Sequence, residues 1–258
     1  MEKSMTDYHI NCLRPLFTDE LLNLLQQGIS VNLIAQAGQG RKRLLEDIQT
    51  AHLKNTKIII VDIKHHLNSY DDLIQTLWQQ LDGTTQAPTT WEELIAAINK
   101  KYNRTIIVLY HFDDLLDNLS IDSKFNINFF NQLDKISHNP HISLLCVTSQ
   151  AHDQSMVCTE GLKRNYSWLD LEKKKLPKLS YDEIQFELKN RNLSLAAEEL
   201  SQLTWIIHKH TLPYTLLDFL AAKIAHQEDP ELAFSDRMEK WIKQFDESNR
   251  TEELPRFI

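Results

Sequence analysis

Three cations in a row, Arg41-Lys42-Arg43, directly follow Gly38-Gln39-Gly40, and basic residues behind two closely spaced glycines can hold an anion. Only five glycines occur in the chain, so two within three residues point to a constrained loop in which backbone comes close to a ligand. A short branched apolar run, Val31, Leu33 and Ile34, precedes the loop, and a helical pattern, Leu44, Leu45 and Ile48, follows it. Strand, tight loop and helix form a phosphate-binding arrangement, in which the N–H groups of the turn and of the helix N-terminus face the anion. The candidate contacts are Ala37, Gly38, Gln39, Gly40, Arg41, Lys42 and Arg43.

Set against the pattern G-x-x-x-x-G-K-[ST], the stretch has two registers. With Gly40 as the second glycine, Ala35 replaces the first, Arg41 the lysine and Lys42 the metal-binding hydroxyl. Shifted by one, Lys42 takes the lysine position, Arg41 replaces glycine and Arg43 the hydroxyl. Neither supplies a Ser or Thr for a metal, so the loop predicts phosphate binding with weak or absent hydrolysis. The plainer reading is a strand-turn-helix with a basic helix start.

Two further strand ends carry chemistry. Thr105 to Phe112 is an apolar run ending in Asp113-Asp114, and Ile142 to Val147 ends in Thr148-Ser149. In a parallel sheet these ends share the edge where ligands bind. There Asp113 can hold Mg²⁺, Asp114 can orient an attacking water, and Thr148 can sense a terminal phosphate. Taken alone, an Asp pair is more often a helix cap or a solvated turn. The histidines suggest no metal site: His65-His66 diverge on extended backbone and His208/His210 diverge on a helix. Cys158, His152 and Asp153 lie too close in sequence to form a supported thiol nucleophile.

The elements that must position these groups are legible in order. Thr18 or Asp19 caps a helix through Leu21, Leu22, Leu24 and Leu25 that stops at Gly28. Lys57 to Ile63 is a continuous apolar run of the kind buried on both faces of a parallel sheet. Helices follow at Tyr70 to Leu81, capped by Ser69, and from Thr90 to about Tyr102, with Glu93 completing a capping box. Phe125 to Ile136 reads as a helix, Ala151 to Ser167 is weakly patterned, and Trp168 to Leu171 reads as a fifth strand. After Pro177 the pattern is all-helical: Ser180 to Asn190, Ala196 to His210, Tyr214 to His226 and Glu231 to Asp246. Trp78, Trp91, Trp205 and Trp241 fall on apolar helix faces and are expected in the core. Lys173-Lys174-Lys175 reads as a solvated edge. The alternation of strands and helices predicts a parallel, doubly wound sheet.

At 258 residues the chain can hold a large domain plus a smaller one. Its net charge of -8 argues against coating nucleic acid by bulk electrostatics. Three widely spaced cysteines suggest reduced thiols. With no bilayer-length apolar run and no secretion signal at the N-terminus, no membrane role and a cytoplasmic location are expected.

In the order of its motifs the chain resembles a AAA+ or STAND-type P-loop NTPase, close in layout to the origin-recognition-like and archaeal-type ATPase branches. Phe17-Thr18-Asp19-Glu20-Leu21-Leu22 resembles the Phe-containing lead segment and E-L helix, without the usual Gly-Arg. Ala35 to Lys42 resembles a degenerate Walker A, and Val108 to Asp114 a Walker B with Asp114 in place of Glu. Thr148 or Ser149 resembles sensor 1, Leu176 to Ser180 the approach to a helical lid, and Thr211-Leu212-Pro213-Tyr214 the lid's Gly-x-Pro without its glycine. The similarity covers roughly residues 14 to 226.

The resemblance implies a P-loop NTPase-like α/β domain, a parallel sheet sandwiched by helices, over residues 14–176. A helical lid over 177–246 follows, with a lead-in at 1–13 and a charged tail at 247–258. It implies ATP or ADP as ligand, with or without Mg²⁺, and Arg164 as an arginine finger. The expected function is regulation or assembly through nucleotide binding with little hydrolysis, controlling self-association or docking of a protein partner, with nucleic-acid contact at most indirect. The alternatives are an active ATPase that loads or remodels a DNA-bound complex, and a nucleotide-free scaffold.

Overall fold

The computed structural model describes residues 9–81, 83, 87–116, 120–151, 156–159, 162–165, 169 and 171–250. The chain divides into two compact units. One comprises Pro15–Gln36 and Leu45–Leu176; the other comprises Met1–Arg14, Ala37–Leu44 and Pro177–Ile258.

The first unit is built on a five-stranded parallel sheet of β1 (Val31–Ile34), β2 (Thr56–Asp62), β3 (Arg104–Tyr110), β4 (Ile142–Thr148) and β7 (Glu172–Lys175), in the order β2-β3-β4-β1-β7. Helices α1 (Pro15–Gln26), α3 (Tyr70–Gln80), α4 (Trp91–Lys101), α5 (Asp113–Leu116) and α6 (Ile127–Ser137) flank it, giving the parallel sheet that the strand-helix alternation predicts and the α/β P-loop NTPase-like architecture that the resemblance implies. β3 and β4 are mostly apolar because helices cover the sheet, and Ile107, Leu109, Leu144 and Cys146 are fully buried. An aromatic cluster packs beside them: the Phe129 ring stands edge-on to Tyr70, Trp91 and Phe125. The Trp91 N–H donates to the Tyr70 hydroxyl at 2.9 Å, tying α4 to α3.

The caps read from sequence are in place at Ser69 and Thr90. Helix α1 begins earlier than the predicted Thr18 or Asp19 cap, because Pro15 opens it at the position where a missing N–H costs nothing. Helix α6 starts at Ile127, with Asn126 accepting from two backbone N–H groups. The weakly patterned stretch holds an antiparallel pair, β5 (Met156–Thr159) and β6 (Leu162–Asn165). Leu169 and Leu171 of the predicted Trp168 to Leu171 carry no strand pairing, and the fifth strand described in the sheet is the lysine-rich Glu172–Lys175, paired to β1 from Val31↔Glu172 to Ile34↔Lys175. Apolar patterning misses it because an edge strand can turn charged side chains to solvent; Lys174 pairs with Glu20 of α1. Trp168 lies outside the described residues.

The second unit is helical: α7 (Tyr181–Asn190), α8 (Ala197–Lys209), α9 (Pro213–Ala225) and α10 (Phe234–Arg250), together with the start of α2 (Arg41–Thr50). Ser180 caps α7 in a capping box with Glu183. Leu13, Ile184, Leu203, Leu216, Leu220 and Trp241 belong to one core, so the N-terminal lead segment packs with the helical bundle. The Trp241 indole N–H donates to Asp229 at 2.8 Å. Trp91 and Trp241 are buried as expected, whereas Trp205 is 58% exposed. On α8 the neighbours Leu203, Thr204 and Ile207 face the core, and Trp205 lies on the opposite side. Among the described residues no helix is long and apolar enough to cross a membrane.

Candidate functional site

In the helical unit, the glycine loop has the backbone of an anion cradle. Gly38 and Gly40 have φ of +74° and +80°, values that favour glycine over any L-residue. The Gly40 carbonyl accepts from Leu44 N–H at 3.0 Å, so Gly40 caps α2 and Arg41 and Lys42 are its first residues. This placement matches the register in which Gly40 is the second glycine. Ala37 is exposed, Gln39 is buried, and Lys42 is exposed.

The same loop is packed against the start of α9. A Cβ at Gly38 would stand 2.7 Å from Leu212 Cα, and one at Gly40 would stand 2.9 Å from the Tyr214 ring. The Tyr214 N–H donates to the Gly38 carbonyl at 2.8 Å. Pro213 opens α9 without an N–H, and this bond satisfies one of the helix's remaining orphan donors. The Arg14 guanidinium donates to the Gln39 carbonyl at 3.1 Å and lies 3.6 Å from Glu183. The Gln39 side-chain oxygen is buried without a hydrogen-bond partner.

A charge network extends this contact. Arg43 lies 3.4 Å from the Glu187 carboxylate and also donates to the Asn11 carbonyl. Glu187, 5% exposed, accepts from Arg191 at 3.0 Å and from the Tyr214 hydroxyl at 3.1 Å. Arg191 also pairs with Asp218. Burial raises the Tyr214 phenol above its usual range, and Glu187 and Asp218 raise it further. Burial alone would lower Arg191, but its bonds to Asp218 and Glu187 raise it instead. Arg43 therefore contributes to protein contacts within this unit.

In the sheet unit, β1, β3 and β4 end at one edge, as parallel strands must, and this edge carries Asp113, Asp114 and Thr148. One Asp113 carboxylate oxygen accepts both the Ser149 N–H, at 2.8 Å, and the Ser149 hydroxyl. Asp114 is raised above its usual 3.8, first by burial and then by the neighbouring Asp113 charge. The Thr148 hydroxyl is fully buried; it accepts from the Asn32 amide at 2.7 Å and donates to the Gln150 carbonyl. The proposed metal and sensor side chains are thus held by Ser149 and Asn32. Arg164 lies in β6 opposite Val157; nothing of its side chain is described. His152 and Asp153 fall outside the described residues.

Several residues of consequence escaped the sequence reading. Asn32 carried a signal, a polar residue inside a buried strand. Glu187 and Arg191 carried another, an i,i+4 pair on the first lid helix. At the sheet edge, His111, with φ of +55°, places its imidazole nitrogen 2.8 Å from Asp62. No local pattern announces that contact.

Residues 36–149 match the family model described as inactive STAND. Among solved structures the chain is similar to the Aeropyrum pernix ORC2 protein in its ADP form, with TM-score 0.63, 15% identity, and coverage of 90% of this chain and 67% of that one. It is similar to the Aeropyrum pernix ORC1 protein in complex with DNA, with TM-score 0.57, 16% identity, and coverage of 86% and 61%. The Drosophila ORC bound to DNA gives TM-score 0.53 at 12% identity, with coverage of 88% and 57%. The chain thus spans about three fifths of the length of these structures. Comparison by sequence with characterised proteins finds no significant match. The fold is that of a AAA+/STAND-type P-loop NTPase of origin-recognition-like layout with degenerate features.

Proposed function

We propose that the chain is a regulatory or assembly module of the AAA+/STAND class that has given up hydrolysis and works through protein contacts. The observation that carries this reading is the start of α2: the positive-φ glycines of a phosphate loop directly precede the helix, but Arg41 and Lys42 stand where lysine and a metal-binding hydroxyl are needed. Arg carries phosphate charge but differs from Lys in shape and reach. Backbone and cations suit the phosphates of ATP or ADP; the loop does not suit Mg²⁺, since Lys42 stands where the metal-binding hydroxyl is needed. Occupancy of the loop then biases self-association or docking of a protein partner by differential binding. The net charge of -8 argues against coating nucleic acid by bulk electrostatics.

A second reading, a scaffold that has lost nucleotide altogether, is favoured by the packing of Leu212 and Tyr214 on Gly38 and Gly40. Calorimetric titration with ADP and ATP, with and without Mg²⁺, together with phosphate release, separates the cases. The proposal expects binding indifferent to Mg²⁺ and no release above background. Mg²⁺-dependent turnover would restore the active ATPase reading, and absence of binding would leave the scaffold.

A further inference from the structure

Trp205 and Tyr181 are the two exposed aromatic rings of the Phe, Tyr and Trp type among the described residues, at 58% and 36% exposure, and they lie on one face of the helical unit. The Tyr181 hydroxyl donates to the Ser201 carbonyl at 3.1 Å and its ring stands edge-on to His208. Ser201 and His208 are one turn before and one turn after Trp205 on α8, so the two rings share its outer side. Along the other flank of α8 runs a groove of about 570 Å³ against α10. Its apolar floor is Ile206, Met238 and Ile242, and its polar rim carries Glu239, Asp246 and Glu247 against the single cation Lys243. On α8 itself the exposed Glu198 and Lys209 balance.

Exposed Trp and Tyr beside an apolar groove have the composition of a binding hot spot, in which a few aromatic residues supply most of the affinity. A groove between two helices suits an amphipathic helix laid along it. Asp246 faces His210 at 3.1 Å, so Glu239 and Glu247 against Lys243 are what select a partner of opposite sign, chiefly by steering and register. We propose that the α8–α10 groove docks a basic amphipathic helix of a protein partner over Ile206, Met238 and Ile242, with the exposed Trp205 as a flanking contact. This goes beyond the nucleotide reading and does not depend on the loop, because every residue named lies in the helical bundle.

The test uses the full chain and a labelled synthetic helical peptide with Leu at i, i+3, i+4 and i+7 and Lys elsewhere. The same peptide with Glu for Lys serves as control, and anisotropy is the readout. The proposal expects the Lys peptide to bind and the Glu peptide not to. It expects Trp205→Ala to weaken binding about tenfold, and the double variant Glu239→Lys/Glu247→Lys to weaken it as well. Both sites are exposed, so thermal midpoints should stay at the wild-type value and confirm folding. Equal binding of the two peptides, or binding untouched by Trp205→Ala, overturns the proposal. So does a sedimentation experiment in which wild type dimerises and Trp205→Ala does not, which would give the face to a second copy of this chain.

Discussion

Removing the Glu187 charge should loosen the glycine loop from the helices it packs with. Glu187→Gln keeps the side chain's volume and one acceptor oxygen. It replaces a carboxylate bonded to Arg191 at 3.0 Å and facing Arg43 at 3.4 Å with a neutral amide. Breaking one partner of a buried pair costs about 3–5 kcal/mol. The Arg43 and Arg191 side chains are 17% and 26% exposed, so water recovers part of that. A hydrogen bond to a charged group is worth about 1.5–3 kcal/mol, and a net cost of about 2 kcal/mol follows. For the helical unit as a two-state unit this lowers the thermal midpoint by roughly 8–16 °C. Hydrogen exchange supplies the local readout: amides of Gly38 to Leu44 should exchange faster in Glu187→Gln than in wild type, while the β3 and β4 amides keep their protection. A double-mutant cycle with Arg43→Met should return a coupling of about 1 kcal/mol. A midpoint within about 1 °C of wild type, with loop exchange unchanged, would refute the idea that this carboxylate fastens the loop.

Other outcomes follow from the same contacts. Gly38→Ala must place a methyl 2.7 Å from Leu212 at a φ of +74°, and should cost about 1–3 kcal/mol, read by denaturant unfolding. Because the folded-state pKa of Asp114 is raised, ionising it costs stability once pH rises above its ordinary 3.8. Asp114→Asn should therefore unfold at a higher temperature than wild type at pH 7, and the difference should vanish as pH falls below 3.8. Asp229 has the opposite sign: bonds from Lys240 and Trp241 lower its pKa, so its contribution is present above 3.8 and is lost as pH falls through the lowered value. Asp229→Asn should accordingly flatten the acid limb of a stability-against-pH curve. Asn32→Leu removes the donor to the buried Thr148 hydroxyl, and should cost about 1–3 kcal/mol by thermal melting.

The sequence reveals those parts of the fold whose signals are local. Caps at Ser69, Thr90 and Ser180 pair a side chain with a backbone group three residues away, and apolar runs such as Ile106 to Leu109 mark strands buried on both faces. The lysine strand is hidden because its pairing with β1 uses backbone groups, which carry no residue signature. Trp205 is misjudged because helical periodicity places a face without saying whether anything covers it. At the loop, glycine spacing and basic residues were visible, and so was the Leu-Pro-Tyr segment. Their contact was not, since it joins positions far apart in sequence, as does Arg43 with Glu187. The occupied hydroxyl of Thr148 was hidden for the same reason.

The helical unit is stitched from three stretches of chain, Met1–Arg14, Ala37–Leu44 and Pro177–Ile258. During synthesis its first two stretches leave the ribosome long before the third exists. Leu13, with a place in that core, must wait exposed while the sheet's strands emerge and pair. Completion of the bundle core therefore comes late in synthesis, and a chain stalled before Pro177 would leave Leu13 without the helices it packs against.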